Sequence, residues 1–454
     1  MIKLTLSELA TIVSGQLLGD DVEIQQVFTD SRQEVAGGLF VAIKGEHFDG
    51  HGYVAAVAQT AAAALVSEPQ SVALPQVVVA DTRLALGQLG AWLCRTLAPY
   101  RVAITGSVGK TSVKEMAAAI FCQQGETLAT LGNFNNDLGV PLTLLRLEPQ
   151  HRFGVFELGA NHAGEIRYTS SLVRPNVAMI NNVQAAHLEG FGSLDGVTAA
   201  KSEIFEHLSD DGVAVLNLDD HKAAAIRDNI GTRPTLTFSS RQPADLHGSD
   251  IERLGDGCYR FSLNRADGAR SVSLPLVGRH QVDNALAAAA LATAAGIELD
   301  KIQAGLQSLV PVKGRMRPLQ LQPGLQVIDD CYNASVASSK AAIDTLAELD
   351  GTRVLIFGDM GELGPDSEAL HLEVGQHAWK KEIDHVLTVG TLSRSVSAPH
   401  SSGRHFAAQS DLIAAVIRSL PDWAGPVTLL IKGSRSAAME RVIDALQEQY
   451  GEQK

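Results

Sequence analysis

Cysteine is scarce in this chain, with only Cys94, Cys122, Cys258 and Cys331 among 454 residues. No two of them make a Cys-x-x-Cys pair, so neither a zinc ribbon nor a disulfide framework organises the fold. Basic charge is also in deficit. Thirty-seven Lys and Arg face 51 Asp and Glu, a formal net charge of −14, which argues against nonspecific nucleic-acid binding. Any anionic ligand therefore needs positive groups gathered locally. Long apolar runs are absent. The best candidate, 285–295, is short and mostly alanine, which suits a packed helix and not a membrane span. The start, Met1-Ile2-Lys3-Leu4-Thr5, lacks the charged-then-apolar pattern of a signal peptide. A cytoplasmic enzyme is expected. No short-period repeat or low-complexity tract is present, and the length suggests three domains of ordinary size.

What the chain does have is a phosphate loop. Residues 104–111 read Ile-Thr-Gly-Ser-Val-Gly-Lys-Thr. An apolar run (101–104) leads in and a helix-like run (112–121) leads out. In that context backbone N–H groups and a helix N-terminus can cradle phosphate. Lys110 would reach the β- and γ-phosphates, and the Thr111 hydroxyl would hold Mg²⁺. In the usual G-x-x-x-x-G-K-[ST] spacing Ile104 stands where the first glycine belongs. The loop here is the shorter Gly106–Thr111, which speaks against an ordinary GTPase or small-molecule kinase. A glycine turn carrying a solvated lysine is the plain alternative, and the flanking strand and helix disfavour it.

Apolar segments alternate with helical ones along the chain. Strands are expected at 22–29, 39–43, 64–67 and 77–79, then at 154–158, 177–183 and 213–218. A more polar stretch, 241–273, suggests an antiparallel excursion. Further strands at 326–330, 353–358, 385–390 and 427–432, each followed by a helix, suggest a Rossmann-like unit. The near-continuous apolar strands of the middle region indicate a mostly parallel sheet covered on both faces.

Ligands bind at the carboxyl ends of such strands. Glu157 sits at one end, where a carboxylate can support Mg²⁺. His187 follows the next strand in a loop, which favours a metal-binding or metal-supporting role over a core histidine. Lys201 lies against an apolar stripe of Val197, Ala200, Ile204, Phe205 and Leu208 at helical spacing. It is either a lysine whose ammonium snorkels to water or a partly buried one. Burial would favour the neutral amine, which can add CO₂ and become a carbamate. The sequence leaves both readings open. The amide-rich loop Thr130–Pro141 can orient phosphate or polar substrate groups through Asn135 and Asn136, or it is simply a turn.

Several segments together resemble the Mur ligases, ATP-dependent amide-forming enzymes of cell-wall precursor synthesis. They are Thr29-Asp30-Ser31-Arg32 with Gly38–Ala42 and Gly45–His51, the short phosphate loop, Asn135–Pro141, Glu157–His162, Asp329–Ala334 and Gly358–Gly364. Within the family the likeness points to members that add D-alanyl-D-alanine to UDP-N-acetylmuramoyl-tripeptide. The resemblance implies an α/β fold of three domains. These are a small UDP-sugar domain (1–99), a central P-loop ATPase-like domain (100–313) and a C-terminal Rossmann-like domain (314–454) that takes the dipeptide and part of the nucleotide. It implies that Gly106, Ser107, Val108, Gly109, Lys110, Thr111 and Ser112 bind ATP, with Asn284 facing adenine and Arg315 and Asp330 reaching the nucleotide from the third domain. Thr111, Glu157, His187 and Lys201 would serve Mg²⁺, with Lys110, His187 and Lys201 catalytic. Ser31 and Arg32 would contact the UDP-sugar, and Asn135 and Asn136 the substrate. Lys201, in Ala200-Lys201-Ser202-Glu203-Ile204-Phe205, matches the lysine that family members carbamylate. A monomer is expected. One departure is that Ser335-Val336 lacks the proline expected after Asn333-Ala334. Another Mur-type ligase, a folylpolyglutamate-type ligase and a non-catalytic nucleotide-binding module are the alternatives. Asp30-Ser31-Arg32 speaks against the folate-type enzyme, and the joint presence of Lys110, Thr111, Glu157 and Lys201 against the non-catalytic module.

Overall fold

The computed structural model describes residues 3–33, 35–45, 48–184, 188–255 and 257–451. Among them run 22 strands in four sheets. In the first region β1 (Leu4–Thr5) pairs with β3 (Glu23–Ile24). A second sheet contains β2 (Gln16–Leu18), β4 (Val27–Phe28), β5 (Leu39–Val41), β6 (Ala63–Val66) and β7 (Gln76–Val78), in the order β2-β7-β6-β5-β4. The single strand expected at 22–29 is thus two short strands in different sheets. Two residues give no period-2 signal to read.

The middle region holds β8 (Tyr100–Thr105), β9 (Thr127–Ala129), β10 (Phe153–Glu157), β11 (Val177–Ile180), β12 (Val213–Asn217), β13 (Thr235–Ser239), β14 (Leu246–Arg253), β15 (Cys258–Arg265) and β16 (Gly268–Val277). Their order is β16-β15-β14-β13-β12-β11-β8-β10-β9. Pairing is parallel from β9 through β14 and antiparallel from β14 to β16, so the polar excursion is a real antiparallel one. The β11 strand stops at Ile180, short of the expected Val183. From there Asn181 and Asn182 turn their side chains onto the phosphate loop.

Val102 and Ile104 of β8 face one core while Ala103 faces the other, as a strand buried on both sides requires. One of these cores continues without a break into the first region. It unites Leu39, Val41, Leu65 and Val77 with the helix Thr82–Leu97 and with Ala103, Phe156 and Ile180 of the middle sheet. The other face is covered by the helices Lys110–Cys122 and His280–Ala294, the latter buried along most of its alanine-rich length.

The third large sheet, after the five- and nine-stranded ones, contains β17 (Arg317–Gln322), β18 (Leu325–Asp330), β19 (Thr352–Gly358), β20 (His385–Val389), β21 (Gly403–Phe406) and β22 (Val427–Lys432), in the order β17-β18-β22-β19-β20-β21. All neighbours are parallel except β17 with β18. The helix Val336–Ala347 begins normally without the expected proline, because Ser335 and Ser338 form a reciprocal capping box.

Candidate active site

Strand order reverses at β8: the chain lays β9 and β10 on one side of it and then β11 and β12 on the other. The carboxyl ends of β8, β10 and β11 therefore flank a crevice. The phosphate loop fills it. Gly109 caps the helix Lys110–Cys122 with φ 78, and no side chain caps that helix. A Cβ on Gly109 would stand 2.6 Å from Asn284 Oδ1 and 2.8 Å from Asn181 Nδ2, so only glycine fits. The first N–H groups of this helix have no intrahelical acceptor and point toward an anion site.

The loop is braced from β11. Asn182 Oδ1 accepts from Val108 N (2.9 Å), its Nδ2 donates to Val108 O (2.9 Å), and Asn181 Nδ2 donates to the same carbonyl (3.0 Å). Ser107 Oγ donates to Gln184 O and accepts from Gln184 N. The N–H groups of Ser107 and Val108 are thus spent inside the protein, leaving phosphate to the N–H groups at the helix start. Asn181 and Asn182 carry no assigned role in the sequence reading. The only signal for them was a pair of amides at a strand's carboxyl end.

Cations converge here. Lys110 Nζ donates to Gly106 O at 2.8 Å, and Lys201 Nζ donates to the same carbonyl at 3.1 Å. Lys201 is 2% exposed, which excludes snorkelling. Its whole stripe (Val197, Ala200, Ile204, Phe205, Leu208) is buried. Burial first, and the neighbouring Lys110 charge second, push the Lys201 pKa well below the ordinary lysine value. Burial also lowers that of Lys110. Glu157 opposes this shift, and Arg315 adds to it. Arg315 of the third region is thus within electrostatic reach of the phosphate loop. Its guanidinium lies 4.2 Å from the centre of the Tyr332 ring.

Across from the lysines, the buried Glu157 accepts from Thr111 Oγ1 (2.8 Å) and from Asn135 Nδ2 (2.7 Å). Its own N–H donates to Thr130 Oγ1. Thr111 and Glu157 therefore meet as the sequence suggests, and Asn135, expected to face substrate or phosphate, joins them through Glu157. Asn136 does a different job, its Oδ1 accepting from Gly139 N at 2.8 Å at the start of the helix Gly139–Leu144. Ser112 sits in the first turn of the phosphate-loop helix, partly buried.

Asn284 borders a cavity of about 350 Å³ together with Asn181, Asn182, Asp219, His221 and Arg241. It adjoins the phosphate loop through Asn181. Asp330 is engaged within the chain. Its Oδ2 receives Lys432 Nζ at 2.5 Å and its Oδ1 receives Met316 N at 3.2 Å, so it anchors the turn that carries Arg315. Ser31 and Arg32 follow β4 in the first region. Arg32 grips Asp30 through Nε (2.9 Å) and Nη2 (2.7 Å), which holds the Asp30 carboxyl down at about 2. His187 lies outside the described residues, as do Glu46 and His47.

Residues 104–292 match the Mur ligase middle domain, and residues 314–435 match the Mur ligase glutamate ligase domain. The chain is 49% identical over 450 residues to the UDP-N-acetylmuramoyl-tripeptide--D-alanyl-D-alanine ligase of Escherichia coli K12, with 99% of each chain covered. This chain belongs to the Mur ligase family. Its likeness to other members extends to the backbone. The crystal structure of MurF from Acinetobacter baumannii matches with a TM-score of 0.94 and 38% identity, covering 99% of both chains. MurF ligase from Thermotoga maritima, solved in complex with ADP, matches with a TM-score of 0.84 and 25% identity, covering 94% of this chain and 98% of that one. An ordinary GTPase or kinase is thereby set aside. No helix among the described residues of this Mur ligase is long and apolar enough to cross a membrane.

Proposed function

We propose that this chain joins D-alanyl-D-alanine to UDP-N-acetylmuramoyl-tripeptide with ATP, through an acyl-phosphate intermediate, in peptidoglycan precursor synthesis. The observation that carries the reading is the meeting of Lys110 and Lys201 on Gly106 O beside an uncapped helix N-terminus, in a chain of strongly negative net charge. The family supplies the reaction class. Full-length identity to an enzyme bearing that name supplies the substrates.

In this reading residues 1–99 hold the UDP-sugar, with Ser31 and Arg32 in contact. Residues 100–313 hold ATP, with adenine in the cavity beside Asn284. Residues 314–454 deliver the dipeptide and place Arg315 on the nucleotide. A substrate carboxylate oxygen attacks the γ-phosphorus, and ADP leaves. Lys110 holds the phosphoryl oxygens while charge shifts among them. The amine of the dipeptide then attacks the acyl carbon. The C–N bond forms, inorganic phosphate leaves with the C–O bond, and the amine gives up a proton. Water must be kept out meanwhile, and closure of the third domain over the phosphate loop excludes it.

Thr111 and Glu157 fit Mg²⁺, being a hydroxyl and a carboxylate side by side at the phosphate loop. Mg²⁺ takes one or two carboxylates and completes its shell with phosphate oxygens and water, which Glu157 beside the Thr111 hydroxyl can provide for. When bound, Mg²⁺ would neutralise charge on the β- and γ-phosphates. His187 is assigned beside it on sequence grounds. Lys201 works as a carbamate, with its neutral amine bonding to the carbon of CO₂ and releasing one proton. Its burial and depressed pKa favour the neutral amine that this addition needs. In this reading the enzyme works in the cytoplasm, where ATP is available, and as a monomer. A phosphate-release assay tests the reading. Release should require both the UDP-muramoyl tripeptide and D-alanyl-D-alanine, and release with either one alone would overturn it.

A further inference from the structure

The loop Thr130–Pro141 is pinned along its length. At its start the buried Lys114 donates to Thr130 O at 2.8 Å. In the middle Asn135 reaches inward to Glu157, and Asn135 O accepts from Gly159 N. Near its end Arg83 donates to Asp137 Oδ2 at 2.5 Å. The loop also folds tightly on itself. A Cβ on Gly139 would stand 2.3 Å from the Phe134 carbonyl carbon. Yet this rigid loop leaves Leu131 54% and Phe134 47% exposed. Scattered exposed apolar residues need no explanation. Two large ones stand on one pinned loop, three residues apart, and the residue next to Phe134 is bonded to Glu157 of the site.

The loop's place in the fold selects the occupant. Arg83 belongs to the helix Thr82–Leu97, which packs with the first region. Glu157 belongs to the phosphate site. The loop bonds to both, so it spans the seam between the UDP-sugar domain and the γ-phosphate. A peptide tethered to the sugar must cross that seam to bring its terminal carboxylate to ATP. We propose that Leu131 and Phe134 are specificity-determining residues. They cover the aliphatic side chain of the tripeptide's carboxyl-terminal residue, whose carboxylate is phosphorylated. The proposal rests on the reaction assigned above. Diaminopimelate and lysine both carry such a chain, and alanine does not.

The test compares UDP-muramoyl tripeptides ending in diaminopimelate, lysine or alanine, using the wild-type chain and Leu131→Ala/Phe134→Ala. Burying a chain of several methylenes is worth about tenfold or more in affinity. The double variant should therefore raise KM about tenfold for the long-chain peptides while kcat stays within about twofold. For the alanine peptide KM should shift by less than about twofold, so that discrimination collapses. Phe134→Leu should recover most of it, and ADP binding should be unchanged in all variants, which reports an intact fold. An equal rise in KM for all three peptides, no rise, or a fall in kcat at unchanged KM would overturn the assignment. Calorimetric titration of the same peptides in the presence of ADP separates this proposal from the reaction itself. If the wild-type chain releases no phosphate, the reaction fails, and the binding differences still decide the role of Leu131 and Phe134.

Discussion

At the carboxyl ends of the middle sheet Lys201 is 2% exposed, and among the described residues its ammonium finds a backbone carbonyl. At the carboxyl ends of the third sheet Lys432 is equally buried, but it pairs with Asp330 at 2.5 Å and also donates to Asn333 O at 3.0 Å. Asp359 at the same edge is satisfied too. Burial would raise its pKa, but the N–H groups of Thr391, Ser393 and Leu392 outweigh burial and hold it below the usual value. Both edges lie at the carboxyl ends of parallel strands and hold a buried lysine, but they differ in electrostatic closure. Buried charge with its counterpart in the chain holds a turn in place. A buried lysine without one is held toward its neutral amine, open to a ligand or a modification.

The sharpest way to break this comparison is to remove each lysine and measure stability. Lys432→Met should cost about 3 kcal/mol, because the partly buried Asp330 keeps only its bond from Met316 N and loses its cation. Lys201→Met should leave the denaturant midpoint unchanged or raised, because an unpaired buried amine gives way to an apolar chain of similar length. If both variants lose the same stability, the distinction between the two edges is wrong.

Turnover should reverse the order. Lys110→Ala removes the fixed cation at the γ-phosphoryl group and should cost about a hundredfold or more in phosphate release. Lys201→Ala should lose most activity while folding normally, and added short carboxylates should restore part of it by filling the space of the carbamate. Lys201→Arg should stay inactive, since guanidinium is not carbamylated and remains charged. An active Lys201→Arg enzyme would end the carbamate reading.

A smaller effect is expected at the exposed end of the molecule. Arg32 contributes two charge-assisted donors. Arg32→Ala should weaken UDP-sugar binding about tenfold and ATP binding by less than about twofold, measured by titration. Equal losses for both ligands would make Arg32 a folding residue.

The phosphate loop was legible in the sequence because its chemistry is local. Glycine, lysine and threonine stand within six residues, between a strand and a helix. Lys201 was half legible. Its stripe announced a buried helix face, but only the fold shows that Gly106 O lies in reach, 95 residues away in sequence. Arg83 with Asp137, 54 residues apart, left no sequence signal. The same holds for Lys432 with Asp330, 102 residues apart. Neither strand packing nor periodicity specifies such pairs, and only tertiary contact does. The first region's strands were the least legible, being two to four residues long. Asp330 is a nucleotide contact only by the family resemblance, and nothing in its local sequence points to the ion pair it makes. Its partner Lys432 arrives from the next strand over.

The smallest effect sharpens the idea that the third sheet's edge is structural. His371 is fully buried. Its Nε2 accepts from Met360 N at 2.9 Å, so Nδ1 carries the proton and donates to Ser367 O at 2.6 Å. Burial pushes its pKa below the ordinary value, against the opposing pull of the Ser367 carbonyl and Asp359. Protonating Nε2 would remove the acceptor for Met360 N and bury a charge beside the loop that follows β19. With the folded-state pKa below the unfolded one, the unfolded chain binds the proton more readily. The contribution is then whole above the ordinary histidine range and is lost as pH falls through the folded value. Stability by denaturant titration should therefore decline from pH 7 to pH 5. His371→Gln keeps a neutral acceptor and should decline less steeply. The slope should not vanish, because His280, His385 and His400 are shifted in the same direction by burial. Parallel curves for the wild type and His371→Gln would show that Met360 and its loop do not depend on a neutral imidazole.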